Sequence, residues 1–114
     1  MSTEFEAIPA GATIGILGGG QLGRMLATAA TTLGFRTHIY CPEADGPAAQ
    51  VSDLNTVAAY DDEAALTKFA QVVDVATYEF ENIPLRTAEI VAAICPLRPG
   101  VQSLKLTQDR IVEK

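Results

Sequence analysis

Residues 13–35 read TIGILGGGQLGRMLATAATTLGF. An apolar run, TIGILG, meets three glycines, and QLGRMLATAATTLGF follows directly. The first part predicts a strand buried on both faces. In the second, Leu22, Met25, Leu26, Ala29, Ala30 and Leu33 recur at helical spacing, and Gly34 stands where a helix C-cap is expected. Gly18, Gly20 and Gly23 fit G-x-G-x-x-G between that strand and that helix. Such a turn brings backbone close to a phosphate, and the amides at the helix N-terminus bind the anion. The alternative is that the glycines serve only to pack the helix on the sheet.

Outward from this unit the chain alternates. RTHIYC (36–41) predicts a second strand, with Thr37, Ile39 and Cys41 on one side, His38 on the other, and Pro42 as the stop. PEADGPAAQVSD reads as loop with one short helical turn. TVAAY (56–60) predicts a third strand and DDEAALTKFAQV (61–72) a helix capped by Asp61. VDVATYEF (73–80) predicts a fourth strand. NIPLRTAEIVAAI (82–94) predicts a helix with Asn82 as cap and Pro84 in its first turn, and CPLRPG (95–100) a brief fifth strand. The segments VQSLKL and TQDRIVEK are helix-like. The order β-α-β-β-α-β-α-β specifies an α/β fold: an open parallel sheet of about five strands with helices on both faces. Residues 1–12 read as a disordered leader, 13–104 as the domain, and 105–114 as the start of a connection. The helix-like end carries no stop signal, so more protein is expected to follow.

Composition narrows the function. The 114 residues are enough for one domain, and 48% are hydrophobic. Eight Lys and Arg against a net charge of −6 do not suit a nucleic-acid partner. No apolar run approaches the ~18 residues of a membrane span. The N-terminus lacks the basic region of a signal peptide. Cys41 and Cys95, each followed by proline, form neither a metal spacing nor a CxxC motif and read as reduced cysteines. A cytoplasmic protein is expected. No metal-ligand spacing and no catalytic set appear, and His38 reads as structural.

A dinucleotide would need an acid at the end of the second strand. Tyr40 and Cys41 stand there instead, Glu43 lies past Pro42, and Arg36 is at the wrong end for a 2′-phosphate. NAD is therefore not expected. TYEFENIP (77–84) carries Glu79 and Glu81 where a fourth strand would end. In such sheets ligands bind outside the carboxyl ends of the strands. Glu79 is a candidate acceptor for a ligand's hydroxyl or amine, and strand-end solvation with helix capping is the alternative.

GGGQLGRM, YCPEADGPAAQVSD, YEFENIP and TQDRIVEK, in this order, resemble the N-terminal domain of the 5-(carboxyamino)imidazole ribonucleotide synthase family. The likeness covers residues 13–114. It implies a Rossmann-like pre-ATP-grasp domain of an ATP-grasp ligase of purine biosynthesis. Such a ligase carboxylates aminoimidazole ribonucleotide with bicarbonate, using ATP and Mg2+ held mainly by a following ATP-grasp domain. It further implies a homodimer in full-length form. Carried onto this sequence, the resemblance places Gly18, Gly19, Gly20, Gln21, Leu22 and Glu79 at the ribonucleotide and Arg110 at ATP. It assigns no catalytic or metal-ligating residue to this chain. The 114 residues alone are expected to be inactive, because phosphoryl transfer needs positioning and metal-bound charge neutralisation. Two other readings remain open here. One is another ATP-grasp enzyme, such as a glycinamide ribonucleotide transformylase or a biotin carboxylase. The other is a nucleotide-sensing Rossmann-like module.

Overall fold

The computed structural model describes residues 11–79 and 83–98. Four strands, β1 (Thr13–Leu17), β2 (Arg36–Cys41), β3 (Leu54–Val57) and β4 (Val75–Tyr78), form one sheet in the order β3-β2-β1-β4, every pair parallel. Helix α1 (Gln21–Thr32) joins β1 to β2, a short 3-10 helix (Pro47–Val51) precedes β3, α2 (Glu63–Val72) joins β3 to β4, and α3 (Leu85–Ala92) follows. The α/β architecture is therefore the expected one, with four strands rather than about five. CPLRPG contributes a single bridge, Ala76 to Leu97, held by Ala76 N donating to Pro96 O and Arg98 N to Ala76 O. Pro96 has no N–H to extend the ladder.

Residue alternation divides the core in two. Ile14, Ile16, Ile39, Cys41 and Val75 pack with Ala27, Ala30 and Phe35 on the α1 side. Leu17, Tyr40, Ala76 and Tyr78 pack with Leu66, Phe69, Ala88 and Val91 of α2 and α3. Gly15 in central β1 lets α2 lie close, since a Cβ there would stand 2.6 Å from Phe69 Cζ. His38 is on the α2 side, opposite Thr37 and Ile39, as its alternation predicts. It is buried, its Nε2 lies 2.7 Å from Thr56 Oγ1, and its ring meets Phe69 edge-on at 5.1 Å.

Helix α1 ends in a Schellman motif: Phe35 N donates to Ala30 O and Gly34 N to Thr31 O, with Gly34 at φ +92°. The apolar spacing of α1 marks it as a helix but not which side is buried. The residues against the sheet are Gly23, Ala27 and Ala30, whereas Leu22, Met25 and Leu33 are exposed.

Boundaries moved for local reasons. β3 runs 54–57 and not 56–60, because β2 stops before Pro42 and the last pairing bond is Ala58 N to Cys41 O. The cap of α2 is Asp62 and not Asp61: the Asp62 carboxylate accepts from Ala65 N at 3.0 Å. β4 is shorter than 73–80, since Val73 still ends α2. Pro84 is the residue flanking α3, while Asn82 lies outside the described residues. No described helix is long and apolar enough to cross a membrane.

Candidate functional site

The connections out of β1 and β4 lead to opposite faces of the sheet, so the strand order reverses between these neighbours. A crevice opens there, outside their carboxyl ends. Gly18 follows β1, and Glu79 follows β4 with its N–H on Leu17 O at 3.0 Å. The two sequence motifs, far apart in the chain, thus meet at one point.

The glycine turn is tightly packed from three sides. Gly18 has φ +125°, and its N–H donates to Tyr40 O at 2.9 Å. A Cβ on Gly19 would lie 2.5 Å from Cys41 Sγ, and one on Gly23 2.5 Å from Gly18 O. Gly19 O accepts from Ala48 N at 3.1 Å, which ties the turn to the 3-10 helix. Below, the Glu79 carboxylate is buried and accepts from Gly23 N at 2.7 Å. This is the anion position at the start of α1, filled by the protein's own carboxylate. Gln21 and Leu22, the first two residues of α1, are exposed. No acceptor meets their amides among the described residues.

Beside the turn is an open groove of about 560 Å³, lined by Gly19 and Gly20 on one wall and Glu43, Ala44, Asp45, Gly46 and Pro47 on the other. Its volume admits a ligand of mononucleotide size. The acidic wall disfavours a bare phosphate and accepts hydroxyl or amine donors. Cys41 beneath it donates Sγ–H to Glu43 O at 3.0 Å, and burial raises its pKa, so it is a packed thiol and not a nucleophile.

Gly18, Gly19, Gly20, Gln21, Leu22 and Glu79 are therefore brought together. Arg110 and Glu81 lie outside the described residues. The acidic wall was not legible as a site, because Pro42 ends β2 before Glu43 and nothing local turns 43–47 back over the glycines. The tie from Gly19 O to Ala48 N does that. Among the described residues there is no group of three or more His, Cys, Asp and Glu that could hold a metal ion.

Residues 11–108 match the family model of the ribonucleotide synthetase pre-ATP-grasp domain. The chain belongs to this family. Over 111 residues, 97% of this chain, it is 50% identical to the N5-carboxyaminoimidazole ribonucleotide synthase of Brucella melitensis, of which it spans 31%. The Staphylococcus aureus N5-carboxyaminoimidazole synthetase, solved with ADP, superposes with a TM-score of 0.84 at 42% identity, over 94% of this chain and 29% of that one. The Aspergillus clavatus enzyme, solved with ADP and 5-aminoimidazole ribonucleotide, gives 0.72 at 31% identity, over 83% and 26%. This pre-ATP-grasp domain thus spans under a third of the length of the relatives it matches.

Proposed function

We propose that this pre-ATP-grasp domain is the substrate-side part of an ATP-dependent ligase that carboxylates 5-aminoimidazole ribonucleotide with bicarbonate, giving N5-carboxyaminoimidazole ribonucleotide, ADP and phosphate. The observation that carries the reading is the glycine turn at the β1/β4 crevice, with the Gln21 and Leu22 amides open beside a groove of mononucleotide size. The identity to the Brucella synthase over nearly the whole chain, and the ribonucleotide complex of the Aspergillus relative, support the same ligand. In this reading the turn from Gly18 to Leu22, with Glu79 beneath it, receives the ribonucleotide. Its backbone amides donate to ligand oxygens, and the acidic wall at Glu43 and Asp45 takes hydroxyl or amine donors. Arg110 serves ATP. The remaining polypeptide holds most of ATP and the Mg2+, and the full-length protein is a cytoplasmic homodimer. The domain alone is inactive.

Phosphate release by the full-length protein tests this reading. Release is expected to require ribonucleotide and bicarbonate together, with NAD inert in binding. Release indifferent to the ribonucleotide, or NAD bound at the turn, would overturn it. Arg110→Ala should raise the KM for ATP and leave that for the ribonucleotide unchanged.

A further inference from the structure

Strand β4 is drier on one face than its described neighbours explain. Its pairing with β1 sets Val75 beside Ile14 and Thr77 beside Ile16, so both side chains point to the α1 side. Helix α1 lies over β1 and β2, and α2 and α3 pack on the opposite face. Yet Val75 is 3% and Thr77 6% exposed. An apolar cavity of about 70 Å³ borders Thr77, with Ile14 and Ile16 as its floor and Leu26, Ala29 and Leu33 as its α1 wall. An apolar sheet face one strand beyond its helix needs a further apolar element laid on it.

The chain itself supplies a candidate. Leu97 bridges to Ala76 in parallel, and Arg98 N donates to Ala76 O at 2.8 Å. The polypeptide therefore leaves the sheet along the outer flank of β4, heading for its carboxyl end. Residues 99–114 lie outside the described residues. In their sequence, Val101, Leu104, Ile111 and Val112 recur at helical spacing. At ~3.6 residues per turn a helix carries these four within about 100° of one another, with Leu106 and Arg110 on the far side. The length agrees as well. Helix α1 starts at the carboxyl edge and has twelve residues, and Val101 to Val112 is the same number starting from the same edge.

We propose that residues 101–112 seat as a helix on the α1-side face of β4, alongside α1 and in the same direction, with Val101, Leu104, Ile111 and Val112 against the sheet. Val101 then lies near the start of α1, and Ile111 and Val112 lie near its end at Leu33. The small cavity is the gap left between the two helices. Arg110 faces away from the sheet, on a helix fixed to the same strands that carry the crevice. The packing stands whether or not Arg110 meets ATP.

The test uses the full-length protein. Leu33→Cys and Ile111→Cys are combined and treated with a short bis-maleimide, while the buried Cys41 and Cys95 are the unreactive background. Peptide mass spectra are expected to show the two positions linked within one chain. Leu33→Cys with Gln102→Cys, at the other end and on the other side of the helix, should give no link. A link between two chains would mean that a second copy covers β4 and would overturn the proposal, as would the absence of any link. Thr77→Cys reports the cover independently. Its labelling by a maleimide should be slow, and should quicken about tenfold or more when Ile111→Asp is added, since a charge in place of a buried apolar side chain unseats the helix. Gln102→Asp should leave labelling slow. Slow labelling that persists with Ile111→Asp would assign the cover to another part of the polypeptide and overturn the proposal. Should Ile111→Asp not fold, the cross-link decides alone. A protein that ignores the ribonucleotide would sink the functional reading, while the cross-link still reports the seat.

Discussion

The two faces of the sheet are packed by different means. On the α2 and α3 side, large side chains fill the space: Tyr40, Tyr78, Phe69, Leu66 and Ile83 are fully buried, and Tyr40 and Phe69 stand 5.4 Å apart between ring centres. On the α1 side the helix contacts the sheet through Gly23, Ala27 and Ala30, and an apolar cavity of about 70 Å³ remains beside it. The first face gains stability from buried area. The second gives some of that up, because α1 must start close to β1 for its first amides to reach the crevice. Close packing there is a requirement of the turn, and bulk on the other face offsets what it costs.

Breaking the bulky face should have the largest effect. Phe69→Ala removes a ring that touches both His38 and Tyr40 and is expected to cost about 3–5 kcal/mol in urea unfolding. A loss under about 1 kcal/mol would mean that this face is not the stable one. Gly23→Ala comes next. In an open helix this change stabilises by about 1 kcal/mol. Here the added methyl meets Gly18 O at 2.5 Å, which is backbone and cannot swing away. The sign should reverse, to a loss of about 1–3 kcal/mol, with weaker ribonucleotide use. Ala29→Leu sharpens the contrast from the other direction. Ala29 lines the apolar cavity, and filling it should add about 0.5–2 kcal/mol with activity unchanged. The same denaturation curves report it.

The smallest effect is a pH dependence on the bulky face. Burial lowers the His38 pKa, and its Nδ1 has no hydrogen-bond partner among the described residues. The unfolded chain therefore binds this proton first. Stability should begin to fall as pH drops below about 6.5, the unfolded value, and stop falling below the folded one. His38→Gln should flatten that part of the profile, and an unaltered slope would remove His38 as its cause.

The element order was legible because β1 is apolar throughout and glycine, proline and aspartate punctuate the rest. That Gly18 and Glu79 lie on the same, carboxyl edge of the sheet followed from its parallel arrangement, and that they meet follows from β1 and β4 being neighbours. Element ends were less legible, being set by partners distant in sequence. β3 stops where Pro42 ends β2, and the choice between Asp61 and Asp62 depends on which carboxylate reaches Ala65 N. The inward side of α1 could not be read from hydrophobicity, since its largest apolar residues face outward. The bond from Gly23 to Glu79 spans 56 positions, and no local pattern announces a carboxylate placed under a glycine turn.

β3 stands at one edge of the sheet and is only four residues long, with Leu54 and Val57 on its surface. An apolar edge invites a strand from another molecule. Asp53 precedes it, and Asp61 and Asp62 follow within a few residues. A second copy adding in parallel would align acid with acid, and one adding antiparallel would bring Asp53 toward the other pair. The edge is thus guarded in both orientations by its brevity and by charge at each end.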